Sequence, residues 1–359
     1  MKKIVFLLLP VLLGFSACGI RINLGGDGGG GAAPASGGNG GVFRSVDRGE
    51  TFAQRVFVSE TKKGNLTIGN TNILTLVFYP ADSRTIYAGT RENGAFRTTD
   101  GGEHWSPFFS SRGGVISISP HPTNSKIIYV VQGNSLFKTE DGGSAWTRVY
   151  LDAVQNQTIT TVAAHPTFRE VVYLGTSDGR VLKSDDGGKN WQPLNNFKNR
   201  VLAILLQKLT PGRVYVVLAT NGLHRSEDGG QFWDEVTEGL QKYSGGKNMR
   251  QAVLLPGGEQ DLLLLATDYG LIRSTDGGLS YEAVGLLTPP NSAPITSLAV
   301  SPRNGREIYY TSNGVLYRTL DGGQEWTTKS LPTSRAATAL LVDFFNPQII
   351  YLGAARIEK

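Results

Sequence analysis

The chain has 359 residues, 40% of them hydrophobic and 18% charged, the make-up of an ordinary globular protein. Its formal net charge of +5 is too small to argue for nucleic acid as a partner. A single cysteine, Cys18, excludes an intrachain disulfide. Lys2 and Lys3 open the chain, and residues 4–15 form an apolar run of twelve. A helix needs about 20 residues to cross a bilayer, so this run reads as a secretory signal and stands outside the fold. Residues 19–41 are rich in Gly, Ala, Ser and Asn. They hold too few large apolar side chains to offset their ordering entropy, which predicts a flexible spacer.

The segment Gly14-Phe15-Ser16-Ala17-Cys18-Gly19 resembles a bacterial lipobox, with Phe15 where that motif usually carries Leu. The resemblance implies that residues 1–17 are a signal peptide and that Cys18 is lipidated. Residues 18–41 would then be a tether to a membrane. The expected location is the bacterial cell envelope. Gly19 carries no obvious inner-membrane retention signal, so the outer membrane or cell surface is expected where an outer membrane exists.

Past the tether, one motif recurs seven times. A Ser or Thr stands two residues before an Asp, glycine follows, and an aromatic lies five residues beyond the Asp. The aspartates are Asp47, Asp100, Asp141, Asp186, Asp228, Asp276 and Asp321, spaced by 53, 41, 45, 42, 48 and 45 residues. The aromatics are Phe52, Trp105, Trp146, Trp191, Trp233, Tyr281 and Trp326, which include every tryptophan of the chain. An Asp that accepts backbone N–H groups, followed by glycines at positive φ, makes a stiff hairpin tip. The aromatic after it starts a strand and plugs the space between units.

Two apolar runs precede each hairpin, as in residues 159–164 and 171–176 ahead of Asp186. Four strands per period of roughly 45 residues predict an all-β propeller. The chain begins with the last two strands of a unit, around residues 42–58. It ends with the first two, residues 337–342 and 349–354. The halves complement each other, so residues 42–359 are expected to close into a single seven-bladed β-propeller of four-stranded blades.

The motif resembles the Asp-box, or BNR, repeat. A propeller of such blades is similar to the photosystem II assembly and stability factor family, to sortilin-type receptors and to xyloglucan-cleaving enzymes. The first likeness implies a non-catalytic scaffold that binds a protein partner, a membrane protein among the candidates. The last implies a glycoside hydrolase or glycan-binding protein. Sialidases carry the same boxes on six blades, with an early Arg-Ile-Pro type motif that this chain lacks. Xyloglucanases set paired carboxylates across two propellers, of which this sequence supplies one.

The Asp turns are expected to be structural, with no metal, because single aspartates on separate turns cannot supply the ligands calcium takes. No catalytic residue, cofactor or nucleic-acid partner is predicted, and a monomer is expected. The opposite face holds the irregular loops, residues 53–71 and 234–250 being the longest. Arg112, Arg200, Arg250 and Arg335 each fall near the start of an innermost strand. With Arg91, Lys198, Lys242 and Lys247 they form a candidate basic face suited to carboxylate or phosphate groups. Tyr150, Tyr243 and Tyr269 are the aromatics available there for a glycan.

Overall fold

A computed structural model describes residues 38–62, 64–255 and 261–357. The expected signal peptide, Cys18 and nearly all of the tether lie outside these residues.

The second strand of each unit carries a largely apolar, buried run, complete in Val172–Thr176 and Ile350–Ala355 and confined to the C-terminal part of the longer Asp82–Thr90 and Asn304–Ser312. Strands covered on both faces read this way. Each pairs antiparallel with a strand on either side, and seven four-stranded units result among the described residues. Their innermost strands are Ile73–Tyr79 (blade 1), Gly113–Pro120 (blade 2), Ile159–Ala164 (blade 3), Val201–Leu206 (blade 4), Met249–Leu255 (blade 5), Ser297–Ser301 (blade 6) and Ala336–Val342 (blade 7). Each touches the next, and the last touches the first, so the ring closes. Blade 7 takes its inner two strands from the C-terminal end of the sequence and its outer two, Gly41–Ser45 and Ala53–Gln54, from the N-terminal end. Gly41–Ser45 pairs with Ile350–Ala355 in an unbroken register from Gly41↔Ala354 to Ser45↔Ile350.

The core is divided among the gaps between blades. One cluster joins Tyr173 and Val181 of blade 3 to Val201, Ile204 and Val214 of blade 4. Close approach at these gaps requires glycine in three second strands. A Cβ on Gly175 would lie 2.5 Å from Val201 Cγ1, and one on Gly353 would lie 2.6 Å from Ile73 Cγ2. On Gly89 it would meet the Val115 carbonyl oxygen at 2.5 Å.

All seven aspartates close their turns in one way. The hydroxyl two residues earlier donates to the carboxylate at 2.7–2.8 Å. The carboxylate also accepts the N–H four residues on, at 2.8–3.1 Å. Such donors favour the ionised form. The Thr51 hydroxyl is the main cause that lowers Asp47 to about 2, and the Asn190 N–H is the main cause that lowers Asp186 to the same value. In six turns the residue after the Asp is a glycine at positive φ; in the first it is Arg48, at φ 59°.

A second repeat lies in the register. The third strand of every blade carries a basic residue opposite a residue of the second strand. The pairs are Arg44↔Tyr351, Arg97↔Tyr87, Lys138↔Tyr129, Lys183↔Tyr173, Arg225↔Tyr215, Arg273↔Leu264 and Arg318↔Tyr309. These groups reach across to the Asp turn of the next blade. Tyr129, Tyr173 and Tyr351 donate their hydroxyls to the carbonyls of Gly187, Gly229 and Gly101 at 3.0–3.1 Å. Arg97, Arg225 and Arg318 donate to the carbonyls of Gly142, Gly277 and Arg48 at 3.0 Å.

The His-Pro turns between first and second strands make a related stitch. Nδ1 of His121 and of His165 accepts two N–H groups of its own turn. Nε2 meets the carbonyl of Arg169 at 3.0 Å and of Pro211 at 2.9 Å, each in the next blade. This arrangement uses a neutral ring protonated on Nε2. Burial lowers the pKa of both histidines, and of His224, below the ordinary 6.5. As pH falls through 6.5 the unfolded chain binds protons that the folded one does not, so stability must fall with pH there. The Asp-turn carboxylates are shifted downward and stay ionised in that range. A thermal melt at pH 5.5 is therefore expected to have a lower midpoint than one at pH 7.5. The drop should shrink in His121→Gln/His165→Gln, and equal midpoints for the native chain would refute the assignment.

Two long connections differ from the loops expected. Residues 53–71 contain a hairpin of Phe57–Thr61 with Gly64–Thr67, whose residues are largely exposed. Residues 234–250 contain one 3-10 turn, Glu238–Leu240.

Candidate functional site

First-to-second and third-to-fourth connections share one end of the ring with the Asp turns, here called the turn face. The others share the loop face, where all eight predicted basic residues fall. Their environments differ. Arg112, Lys198 and Arg200 are exposed and make no ion pair among the described residues. Lys198 sits at φ 51°, held by its N–H donating to Asn196 Oδ1. Arg91 is half-buried at the turn leaving the second strand of blade 1.

The remaining four are engaged. Arg250 pairs with Asp268 at 2.8 Å and Lys247 with Glu235 at 3.2 Å. Lys242 Nζ donates to the Tyr281 carbonyl at 2.9 Å and lies 5.1 Å from the Tyr243 ring centroid. Arg335 does not belong to an open basic face. It is 7% exposed, and its Nη1 donates to the carbonyls of Asn70 and Thr71 and to Asn72 Oδ1 at 3.1–3.2 Å. The Thr71 carbonyl is buried and needs the donor, and the arginine ties residues 70–72 to the start of the innermost strand of blade 7. Burial, with Arg356 nearby, lowers its pKa.

The tyrosines are not free platforms. Tyr243 and Tyr269 pack against one another with their rings inclined by 51° and centroids 4.9 Å apart, and Tyr150 packs on Trp191 at 5.6 Å. One charged group of this face has no counterpart in the sequence prediction. Arg180 bridges Asp152 at 2.6 Å and Asp178 at 2.8 Å. Burial would raise Asp178, but bonds from Arg180 and Thr176 hold it below the usual carboxylate range. The Thr237 hydroxyl, and then Lys247, lower Glu235 in the same direction. Glu92 accepts from Asn72 Nδ2 at 2.8 Å. Glu92, Asp152, Asp178, Glu235 and Asp268 of the loop face are thus committed to neighbours, while Glu60 and Glu238, like the cations Arg112, Lys198, Arg200 and Lys62, are exposed and make no ion pair among the described residues.

No family model matches the chain. Among curated proteins it is 24% identical over 264 residues to xyloglucanase Xgh74A of Acetivibrio thermocellus, a match covering 68% of this chain and 29% of that protein. The chain spans less than a third of that relative's length. Among solved structures it resembles the GH74 xyloglucanase of Xanthomonas campestris, with a TM-score of 0.63 at 17% identity over 79% of this chain and 51% of that one. It also resembles YCF48 bound to a D1 peptide, with a TM-score of 0.59 at 20% identity over 79% of this chain and 93% of that one. At these identities the likeness is one of fold, and the chain is a β-propeller of the architecture these proteins share.

Proposed function

We propose that this protein is a non-catalytic envelope lipoprotein, anchored through Cys18, that binds a protein partner with its loop face. Arg112, Lys198 and Arg200 are the groups that meet acidic or carboxylate groups of the partner. The observation that carries the reading is that these cations of the face are exposed and make no ion pair among the described residues, while five of its acids, Glu92, Asp152, Asp178, Glu235 and Asp268, are engaged by neighbours. Exposed arginines and lysines of this kind set partner choice and association rate. The solved YCF48 structure, which holds a D1 peptide, supports the idea that a propeller of this size recognises a polypeptide.

A second reading, glycoside hydrolysis, rests on the xyloglucanase relatives. A retaining or inverting glycosidase needs one carboxyl held protonated near neutral pH. Among the described residues, every carboxyl whose titration the surroundings clearly shift is shifted down instead, as at Asp178 and Glu235.

The test is affinity capture of the full-length protein from detergent-solubilised envelopes, beside Arg112→Ala/Lys198→Ala/Arg200→Ala and Cys18→Ala. A specific membrane protein should be recovered with the native chain. Its yield should fall at least about tenfold in the triple variant, as loss of several charge-assisted contacts implies. The Cys18→Ala chain should lose its membrane attachment. Full recovery by the triple variant would remove the site assignment, and release of sugar from xyloglucan by the native chain would favour the hydrolase.

A further inference from the structure

On the loop face, where blades 6 and 7 meet, lies a cavity of about 570 Å³. Volumes of this size are typical of cavities that hold small ligands. Two arginines, Arg335 and Arg356, line it together, and among the described residues no acid does.

Local structure fixes the lining groups. Arg335 is 7% exposed, and its Nη1 makes all three of its hydrogen bonds. Its Nε and Nη2 take no partner among the described residues, and neither is sealed from solvent. Arg356 is exposed, and its side chain makes no ion pair among the described residues. Its backbone N–H donates to Asn72 Oδ1 at 2.9 Å, the atom that Arg335 Nη1 meets at 3.1 Å. The two cations therefore share one anchor. Burial first, and then the repulsion of Arg356, lower the pKa of Arg335. One acid offsets them in part: Glu92, exposed and bonded by Asn72 Nδ2 at 2.8 Å, does not line the cavity.

The other polar groups of the lining are neutral. Asn313 and Gly314 stand at φ 48° and 77°, the pair of positive angles that a two-residue hairpin turn takes. The turn leaves the Asn313 amide exposed and without a partner among the described residues. Asn39 lies across the start of blade 7, where its Oδ1 accepts the Ser334 N–H at 3.3 Å and its Nδ2 donates to the Ser334 hydroxyl oxygen. The Ser334 O–H is left to donate. Exposed Pro294 and Ile357 add apolar surface. A guanidinium fork matches a carboxylate, and the amide and hydroxyl match alcohol groups beside it.

We propose that this cavity binds a small hydroxylated carboxylate of the uronic-acid class. Arg335 and Arg356 take the carboxylate, and Asn313 and Ser334 take ring hydroxyls. Arg112, Lys198 and Arg200 of the proposed protein-binding site precede the innermost strands of blades 2 and 4, so this site stands independently of that reading. Glu358 and Lys359 follow the lining residues in sequence and lie outside the described residues.

The test is isothermal titration calorimetry of the purified full-length protein with glucuronate, beside glucose and inorganic phosphate at matched ionic strength. Glucuronate should bind at least about tenfold more tightly than either. Arg356→Ala, at an exposed position, should weaken glucuronate at least about tenfold and leave the melting midpoint near that of the native chain. Arg335→Lys should weaken it too, because lysine lacks the planar fork. Arg112→Ala/Lys198→Ala/Arg200→Ala should bind glucuronate as the native chain does, which separates this site from capture of a protein partner. Glu358→Gln should leave the affinity within about twofold. Three results would overturn the proposal: glucose or phosphate binding as tightly as glucuronate, an affinity unchanged in Arg356→Ala, or no binding by the native chain. Binding gained only in Glu358→Gln would count with the last, since the chain's own acid would then fill the cavity.

Discussion

Asp261→Ala is expected to destabilise the propeller by about 3–5 kcal/mol, the usual cost of removing one partner of a buried ion pair. Asp261 is fully buried at the turn between the first two strands of blade 5. Its carboxylate accepts from three groups of blade 4: Gln207 Nε2 at 2.5 Å, Arg213 Nη1 at 3.2 Å and the Tyr215 hydroxyl at 2.9 Å. Its own carbonyl accepts the Gly277 N–H at 3.1 Å. The side chain thus pins one blade to the next, and alanine would leave the Gln207 amide without this acceptor in a dry gap, while Arg213 would keep Glu227 at 3.0 Å and Tyr215 the Gly277 carbonyl at 3.3 Å. Tyr215→Phe should cost only about 1 kcal/mol, one hydrogen bond of the three. Asp261→Ala combined with Arg213→Met should be less damaging than the sum of the single changes, because both remove the same Arg213–Asp261 pair, which the sum counts twice. Urea denaturation followed by tryptophan fluorescence measures each value. A cost for Asp261→Ala under 1 kcal/mol would mean that the cluster does not hold the blades together.

Arg335→Ala is expected to cost about 2–4 kcal/mol, since three oxygen acceptors lose a charged donor in a buried place. The effect should be local to the closure of the ring. Arg335 holds residues 70–72, which in turn bind the start of the outer strands of blade 7. The Thr71 carbonyl accepts the Gly41 N–H at 3.0 Å, and the Gly69 carbonyl accepts the Gly40 N–H at 2.8 Å. The fit admits no side chain at Gly40, where a Cβ would lie 2.2 Å from Arg335 Nη1. Amide exchange at Val42, Phe43 and Arg44 should therefore accelerate more than exchange in blade 3. Arg335→Lys should recover part of the loss, because one nitrogen makes all three bonds. Uniform acceleration around the ring would contradict a local clasp.

The repeat was the most legible part of the molecule, because its chemistry is local. Asp186, the Ser184 hydroxyl and the Asn190 N–H lie within six residues of one another, so composition and spacing carry the whole turn. The complementary half-units at the two ends likewise announced the composite blade. The hairpin at Phe57–Thr61 was not legible, since only Phe57 and Val58 are apolar there and the strand buries no continuous face. Nor was the true place of Arg335, whose acceptors are two backbone oxygens and the Asn72 side-chain oxygen, 263–265 residues away. Its position at the start of an innermost strand matches that of Arg112 and Arg200, yet burial separates it from both. The second-strand tyrosines recur in six blades of the seven, but their opposition to Arg44, Lys138 or Lys183 depends on strand register, which single-sequence periodicity does not contain. The cavity beside Arg356 escaped for a related reason. Asn39, Asn313 and Arg356 come together only when the ring closes.

The composite blade also decides how the molecule bears mechanical load. A pull transmitted through the residues before Gly41 enters the strand Gly41–Ser45, which is flanked by Ile350–Ala355 on one side and Ala53–Gln54 on the other. Such a pull runs along the strand and loads its cross-strand bonds in shear. The five register pairs with Ile350–Ala355 would then have to yield together, where peeling would break them one at a time. The strand that closes the circle is also the one best placed to resist being drawn out of it.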